Sequence, residues 1–214
     1  MNVNGVTFGS KHSYTDYGLI LKSKTIGAAA IKTKTVDIEG GHGSLDYTAF
    51  FGEPKYNNRT LTFTFASTKR PLAFISSYSN LMNSLHGQKM KIILDEDPNY
   101  HYVGRLSVGD YSTSGKIPTI TVTADCEPFK YKNTMTTVSR AVSGSASITL
   151  PNMRKKVVPT ITTTAEMTIV FGGRTSTMAA GTFVIPTLEL TEGDNVVTVT
   201  GTGNITFKYQ EGGL

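Results

Sequence analysis

Acidic and amide side chains alternate near the middle of the chain, at Asp95, Asp97 and Asn99. Oxygen ligands at alternate positions also open the calcium loop of helix–loop–helix proteins. That loop requires a glycine at its sixth position and a bidentate glutamate at its twelfth. Counted from Asp95, these positions hold Tyr100 and Leu106. The segment therefore predicts a hairpin turn, whose preferred residue types it contains, and no metal site.

Other residues that could do chemistry lack the spacing of known active sites. The four histidines, His12, His42, His86 and His101, show no zinc-binding spacing. No G-x-S-x-G sequence marks a nucleophile, and the only cysteine, Cys126, lies in a predicted strand. The glycine-rich segment 40–43 lacks the lysine and the helix that hold phosphate. We predict no enzymatic activity and no cofactor, although distant carboxylates that meet in the fold leave a hydrolase as an open alternative.

One helix followed by a hairpin should position the turn at Asp95. Apolar residues recur at three- and four-residue spacing, Pro71 suits a first helical turn and Gly87 suits a C-cap, so we predict a helix over about 71–86. The periodic residues are Leu72, Ile75, Tyr78, Met82 and Leu85. Residues 89–94 and 100–106 then alternate as two strands around the turn.

Most of the remaining chain has the pattern of strands. Leu61, Phe63 and Phe65 alternate with threonines, which is typical of a half-buried antiparallel strand. Further strands are predicted at residues 5–8, 19–22, 33–38, 117–126, 146–150, 158–163, 167–171, 183–185, 195–200 and 204–209. Turns are predicted at 172–173, 192–194 and 201–203, where glycines stand. The fold class is mainly β.

Composition narrows the choice of partners. The 214 residues carry a net charge of +5, but the lysines are dispersed and alternate, as at Lys22, Lys24, Lys32 and Lys34, and form no concentrated basic stripe. We therefore predict no specific nucleic-acid binding. No apolar run is long enough to span a bilayer, and residues 1–5 lack the features of a signal peptide, so we expect synthesis in the cytoplasm without membrane insertion.

A change in composition divides the chain into two predicted domains. Residues 1–133 hold most of the charged residues, all four histidines and Cys126, whereas residues 134–214 are rich in Thr, Val and Gly. The second part has turn signals at the spacing of a small β-sandwich. We expect a boundary near Asn133.

Short motifs, in a fixed order over about 120 residues, resemble the distal tail proteins of long-tailed bacteriophages, prophages and phage-tail-like particles. The motifs are Lys11-His12-Ser13 with Asp16-Tyr17-Gly18-Leu19, Gly43-Ser44-Leu45-Asp46-Tyr47-Thr48, Tyr56 with Arg59, Leu61, Phe63 and Phe65, Leu85-His86-Gly87-Gln88-Lys89, Ile92-Ile93-Leu94-Asp95 with Asp97-Pro98, Tyr102-Val103-Gly104-Arg105, and Cys126-Glu127-Pro128-Phe129-Lys130-Tyr131. The end of the chain, Gly201 to Gly212, is also similar to endings in this family.

The resemblance implies a structural protein of the virion tail tip. It implies an N-terminal β-sandwich with one helix and a hairpin, six copies of which form a ring around a channel for DNA. The implied partners are the tail tube protein, a tail-tip or tail-associated lysin-type hub protein, and receptor-binding or baseplate proteins. The second domain is expected to be peripheral and similar to galectin-like or carbohydrate-binding folds, although the chain contains no Trp to stack on a sugar.

Two turn-rich segments are the candidate ring contacts, because their sequences offer little apolar surface for burial within one chain. The candidate residues are Gly40, Gly41, His42, Gly43, Asp95, Asp97, Tyr100 and Tyr102. Exposed sheet edges and a helix–hairpin unit offer the complementary surfaces that a closed ring needs. The alternative function is a carbohydrate-binding module of a cell-wall-directed protein.

Overall fold

The computed structural model describes residues 4–50, 52–113 and 117–214. These residues fall into two compact units, which divide at the Pro128–Phe129 bond. Both are built mainly of β-strands, as the sequence predicts, and the described residues contain a single α-helix. The described residues form no helix that is long and apolar enough to cross a membrane.

The elements of the first unit are β1 (Val6–Phe8), β2 (Lys11–His12), β3 (Leu19–Ile26), β4 (Thr35–Asp37), β5 (Ser44–Asp46), β6 (Arg59–Ser67), α1 (Pro71–Leu85), β7 (Lys89–Leu94), β8 (Tyr100–Ser112) and β9 (Thr119–Cys126). Those of the second unit are β10 (Lys130–Lys132), β11 (Thr136–Asn152), β12 (Thr160–Thr163), β13 (Met167–Phe171), β14 (Arg174–Met178), β15 (Gly181–Val184), β16 (Gly193–Tyr209) and β17 (Gly212–Gly213).

The main sheet of the first unit is antiparallel, with strand order β2-β1-β7-β8-β9-β6-β3. Its buried face follows from the alternation in β6, where Leu61, Phe63 and Phe65 are buried and the intervening threonines are not. The ring of Phe8 meets the rings of Phe63 and Phe65 edge-on, at centroid distances of 5.9 Å and 6.2 Å. This aromatic cluster forms the centre of the core.

Helix α1 has the predicted start and end, and the core contacts three of the five residues of the predicted stripe, since Leu85 is buried and Tyr78 and Met82 pack against the core. Phe74, Leu81 and Leu85 are its buried residues. Leu72 is 87% exposed and Ile75 is 49% exposed. The predicted stripe therefore includes residues from two faces of the helix. The ring of Phe74 packs against the ring of Tyr111, with 5.5 Å between the ring centroids, and this contact sets which side of the helix meets the sheet.

The β7–β8 hairpin is confirmed, with Ile92 opposite Tyr102 and the turn at residues 95–99. Strand β8 continues to Ser112, well past the predicted end at Leu106. By contrast, the strand predicted at residues 33–38 is only the short strand β4.

In the second unit, β16 pairs with β11 along 17 residues. Its other edge pairs with β13 and β12, which gives the order β14-β13-β16-β12-β15. The turn predicted at residues 201–203 is wrong, because β16 runs through it. Gly201 and Gly203 serve close packing here. A Cβ at Gly201 would lie 2.9 Å from the carbonyl oxygen of Glu166, and one at Gly203 would lie 2.8 Å from Oγ1 of Thr164. The same face of β16 is buried on both sides of the glycines, as Val199 and Ile205 show.

Candidate assembly surfaces

A β-hairpin extends from the first unit between Ala30 and Asn57; we call its described residues the arm. Backbone hydrogen bonds close its base, where the Asn57 N–H donates to the Ala30 carbonyl and the Lys32 N–H donates to the Lys55 carbonyl, both at 2.8 Å. Further out, β4 and β5 pair with each other and with no other strand of the described chain. The arm is thus a two-stranded ribbon.

The ribbon has one apolar face and one polar face. Val36 lies opposite Leu45 in the register, and both side chains are about half exposed, at 48% and 46%. Ile38 continues the same face two residues beyond Val36 and is 56% exposed. On the other face, the Ser44 hydroxyl donates to Oδ1 of Asp37 at 2.7 Å.

This amphipathic ribbon leaves its apolar face uncovered by its own chain. A single two-stranded hairpin has little stability in water unless its apolar face packs against something else. Phe50, near the end of β5, is also exposed, although its ring packs edge-on against Tyr47 at 5.6 Å. The geometry therefore favours burial of the arm against another molecule.

The glycine-rich loop forms the tip of the arm. Gly40 and Gly43 adopt positive φ angles of 77° and 75°, which glycine allows at little cost, and His42 stands exposed between them. At the end of β5, the backbone N–H of Thr48 donates to Oδ1 of Asp46 at 2.7 Å. The hydrogen bonds from Thr48 lower the pKa of the Asp46 carboxyl. This carboxylate lies opposite Thr35, at the end of the ribbon away from the tip, and it is negatively charged at neutral pH.

The second group of predicted contact residues lies in the β7–β8 hairpin, where Asp95 is engaged within the chain. Its Oδ2 accepts the backbone N–H of Gly5 at 2.7 Å and lies 3.0 Å from Nε2 of His12. Nδ1 of His12 accepts from the backbone N–H groups of Tyr14 and Thr15, which fits the tautomer whose Nε2–H donates a hydrogen bond to Asp95. Asp95 therefore fastens the first strands of the chain to the hairpin.

We call the contacts among Gly5, His12 and Asp95 the clasp. Neighbouring residues complete it, and this structural role accounts for several of the motif residues. The Ser13 hydroxyl accepts the Val6 N–H at 3.1 Å and is fully buried. Oδ2 of Asp16 accepts the His12 N–H at 2.6 Å. A Cβ on Gly5 would meet the His12 ring and the Ser13 hydroxyl, so only glycine fits there.

The other predicted residues of the hairpin have different positions. Asp97 shapes the turn, since its N–H donates to the Leu94 carbonyl at 3.0 Å and its own carbonyl accepts the Tyr100 N–H at 3.2 Å. The Tyr102 side chain is buried in the core cluster, and the guanidinium of Arg59 lies 5.7 Å from its ring centre. The structure therefore groups the eight predicted residues on two separate hairpins.

Sequence reasoning missed the apolar face of the arm, although a signal for it was present. Val36 and Ile38 alternate with Asp37 on one side of the glycine-rich loop, and Leu45 and Tyr47 alternate with Asp46 on the other. Alternation around a glycine-rich loop predicts a hairpin with one apolar face. The segment was instead interpreted as one strand followed by a loop.

A second exposed apolar surface lies where α1 begins, and we call it the helix-start patch. Its apolar residues are Leu72 and Ile75. Ile117, on a neighbouring segment, is also exposed. The Ser67 N–H donates to the Pro118 carbonyl at 2.8 Å, which holds residues 117–118 beside the chain that enters the helix. Lys69 and Arg70 border the patch and are exposed.

The second unit contains an open groove of about 570 Å³ lined by Asn152, Met153, Arg154, Glu192, Gly193, Gly213 and Leu214. Arg154 and Glu192 pair across it, with Nη1 and Oε2 at 2.7 Å. None of the lining residues is aromatic, so the groove lacks the stacking surface that sugars prefer.

Nowhere in the described chain do three or more His, Cys, Asp or Glu side chains gather as a metal ion requires.

Comparison with known proteins identifies the fold. No protein-family model and no curated protein matches the sequence. Among solved structures, the chain is similar to the crystal structure of the SPP1 Dit (gp 19.1) protein, described as a paradigm of the hub adsorption apparatus in phages that infect Gram-positive bacteria. The TM-score is 0.72 at 14% sequence identity, over 98% of this chain and 99% of that one. At the level of the fold, this confirms the predicted distal tail protein resemblance.

Proposed function

We propose that this chain, which has the fold of the SPP1 Dit protein, is a structural hub of a phage tail tip. Six copies form a ring that joins the tail tube to the tip or baseplate proteins and leaves a channel for DNA. The protein acts by assembly and is not an enzyme. The second unit contacts receptor-binding or baseplate proteins.

The observation that carries this proposal is the extent of the likeness. It spans both units in the same chain order, over nearly the full length of each protein. A likeness limited to one β-rich unit would be common among unrelated proteins, because a small number of folds serve many functions. A match that includes the helix, the hairpin and the second unit together is far more specific.

The arm supports the assembly part of the proposal. Its apolar face, with Val36, Ile38 and Leu45, is uncovered in the single chain. When two different surfaces of the same protein bind each other, the contact is head-to-tail. Such contacts close into rings when the rotation between neighbouring copies permits. The arm tip contains the predicted contact residues Gly40, Gly41, His42 and Gly43.

The predicted contacts of the β7–β8 turn can be tested separately from the arm. The proposal assigns the segment from Asp95 to Tyr102 to the ring interface through its exposed turn. Glu96, in this turn, is half exposed and pairs with Lys24 within the chain. Deletion of residues 96–99 removes this exposed turn, so it should weaken ring formation if the turn contacts a neighbouring copy. If light scattering shows unchanged rings, the turn is not part of the interface.

The mass of the purified protein in solution tests the proposal. We expect a mass near six times the 23.1 kDa of one chain, measured by light scattering behind size exclusion. The alternative, a carbohydrate-binding module, predicts a monomer with saturable binding to cell-wall glycan. A hydrolase predicts turnover of cell-wall polymer that disappears when one carboxylate is replaced.

A further inference from the structure

The arm and the helix-start patch complement each other in polarity and in charge. The segment from Thr35 to Asp46 carries three acidic residues, Asp37, Glu39 and Asp46, and no lysine or arginine. The lysines of the arm, Lys32, Lys34 and Lys55, all lie toward its base. The outer half of the arm is therefore an apolar face bordered by negative charge.

The helix-start patch has the opposite charge. Lys69 and Arg70 stand directly before α1, and no residue of the helix from Pro71 to Leu85 is charged. Nζ of Lys69 lies 2.6 Å from the Ser77 hydroxyl, which holds its ammonium group along the helix. Leu72, the most exposed large apolar residue among those that the structure describes, projects from the first turn. The positive end of the helix dipole also favours nearby carboxylates.

We propose that the apolar face of the arm docks on the helix-start patch of a neighbouring copy of the same chain. Val36, Ile38 and Leu45 would cover Leu72 and Ile75, and Glu39 would lie near Arg70. This inference rests on the proposed ring, because it names the contact that closes it. A second copy is the occupant because one chain carries both surfaces, uncovered and opposite in charge.

The arm and the helix-start patch are two different surfaces of the first unit. The contact between them is therefore head-to-tail, and each copy uses both of its surfaces. A contact between two different patches propagates from copy to copy, whereas a contact of a patch with itself stops at a dimer. Covering the exposed apolar groups supplies the affinity, and the charges select the correct register. The glycines at the arm tip let the loop follow the neighbour's surface.

Paired cysteines test the contact. Cys126 is fully buried and burial raises the pKa of its thiol to about 12, so it stays unreactive in the folded chain. A variant with Ile38→Cys and Ile75→Cys, treated with a short bis-maleimide, should give a ladder of covalent species up to six chains on a denaturing gel. A second pair, Val36→Cys with Leu72→Cys, should behave in the same way.

Matched controls identify the source of any ladder. Each single cysteine variant should give no ladder. A third pair, Ile38→Cys with Val184→Cys, tests specificity, since Val184 is an exposed valine of the second unit. A ladder from the first two pairs and none from the third supports the proposal. Covalent dimers without longer species would overturn it, because they indicate a self-complementary contact.

A charge reversal provides a measurement that does not depend on cysteine chemistry. We expect Glu39→Lys and Arg70→Glu each to raise the concentration for half-assembly by about three- to tenfold, since desolvated interface charges couple more strongly than surface pairs. The double variant should return to within about twofold of the parent protein. If both single effects simply add in the double variant, the two residues do not meet.

The result also separates this inference from the function on which it rests. If light scattering shows rings but neither cysteine pair cross-links, the docking site is wrong and the ring remains. If the parent protein never assembles, the proposed function and the docking proposal both fail.

Discussion

Nε2 of His12 lies 3.0 Å from Oδ2 of Asp95, across 83 residues of sequence. The same carboxylate oxygen accepts the backbone N–H of Gly5 at 2.7 Å. One side chain in the β7–β8 turn thus holds both Gly5, which directly precedes β1, and the β1–β2 segment. The motif residues near His12 and Asp95, which could be interpreted as chemistry or as ring contacts, form this clasp within one chain.

Loss of the Asp95 carboxylate should destabilise the first unit. We expect Asp95→Ala to lower the free energy of unfolding by about 2–3 kcal/mol, because the Gly5 N–H and the His12 ring both lose a charged acceptor. Urea unfolding followed by circular dichroism measures this change. The control is Glu96→Ala, whose exposed pair with Lys24 should contribute less than about 1 kcal/mol. Equal effects of the two variants would contradict the role of the clasp.

The buried carboxylate of Glu211 in the second unit depends on its partners. It accepts from Nζ of Lys132 and from the Thr136 hydroxyl, and only 4% of its side chain is exposed. Lys132→Met should cost about 2–3 kcal/mol, less than for a fully buried pair because Lys132 is one-third exposed. The double variant Lys132→Met with Glu211→Met should recover most of that loss in the same unfolding assay. A double variant less stable than the single one would show that the ion pair itself is strongly stabilising.

The close packing at Gly201 predicts a large effect of adding one methyl group. Gly201 has a φ of 147°, and its Cβ would lie 2.9 Å from the Glu166 carbonyl oxygen, so we expect Gly201→Ala to cost about 2–3 kcal/mol. The neighbouring exposed residue offers a control, since Thr202→Ala should change stability by less than about 0.5 kcal/mol. Thermal melts of both variants give the comparison. A tolerated alanine would mean that the β13 side of the sheet can move away at little cost.

Stability should fall at alkaline pH in two steps. Burial raises the pKa of the Cys126 thiol from 9.0 to about 12, and burial with the nearby Glu211 charge raises that of Tyr209 from 10.0 to about 12. Each group keeps its proton in the folded state after the unfolded chain has lost it. The stabilisation is complete below the unfolded pKa and declines as the pH approaches 12, by about 1.4 kcal/mol per pH unit and group.

A variant isolates the first of these steps. Between pH 9 and 10 the thiol contributes more than Tyr209, so Cys126→Ala should reduce the decline most in that interval and leave the Tyr209 contribution at higher pH. Urea midpoints at half-unit pH intervals provide the slopes. Identical slopes for the parent and the variant would show that the thiol does not resist ionisation in the fold.

Local sequence signals predicted the elements that depend on local chemistry. Pro71 and Gly87 mark both ends of α1, and the turn residues from Asp95 to Asn99 mark the β7–β8 hairpin. Alternation in β6 predicted its buried face. In each of these cases the residue pattern and the tertiary packing favour the same structure, so the local signal was sufficient.

Features that depend on tertiary packing could not be predicted in this way. Gly201 and Gly203 were interpreted as a turn, because a sequence does not show that a neighbouring loop approaches them closely. The exposed position of Leu72 and Ile75 depends on how Phe74 meets Tyr111, a contact between distant segments. The engagement of Asp95 by Gly5 and His12 is equally remote, and only the family resemblance placed His12 and Asp95 in one set.

The symmetry of the assembled particle is the most direct test of the central claim. Negative-stain electron microscopy of the purified chain should show closed rings of six subunits with an open centre, and variants that disrupt the apolar face of the arm should show fewer of them. Particles that remain single at the highest soluble concentration, or rings of another symmetry, would contradict the proposed hub.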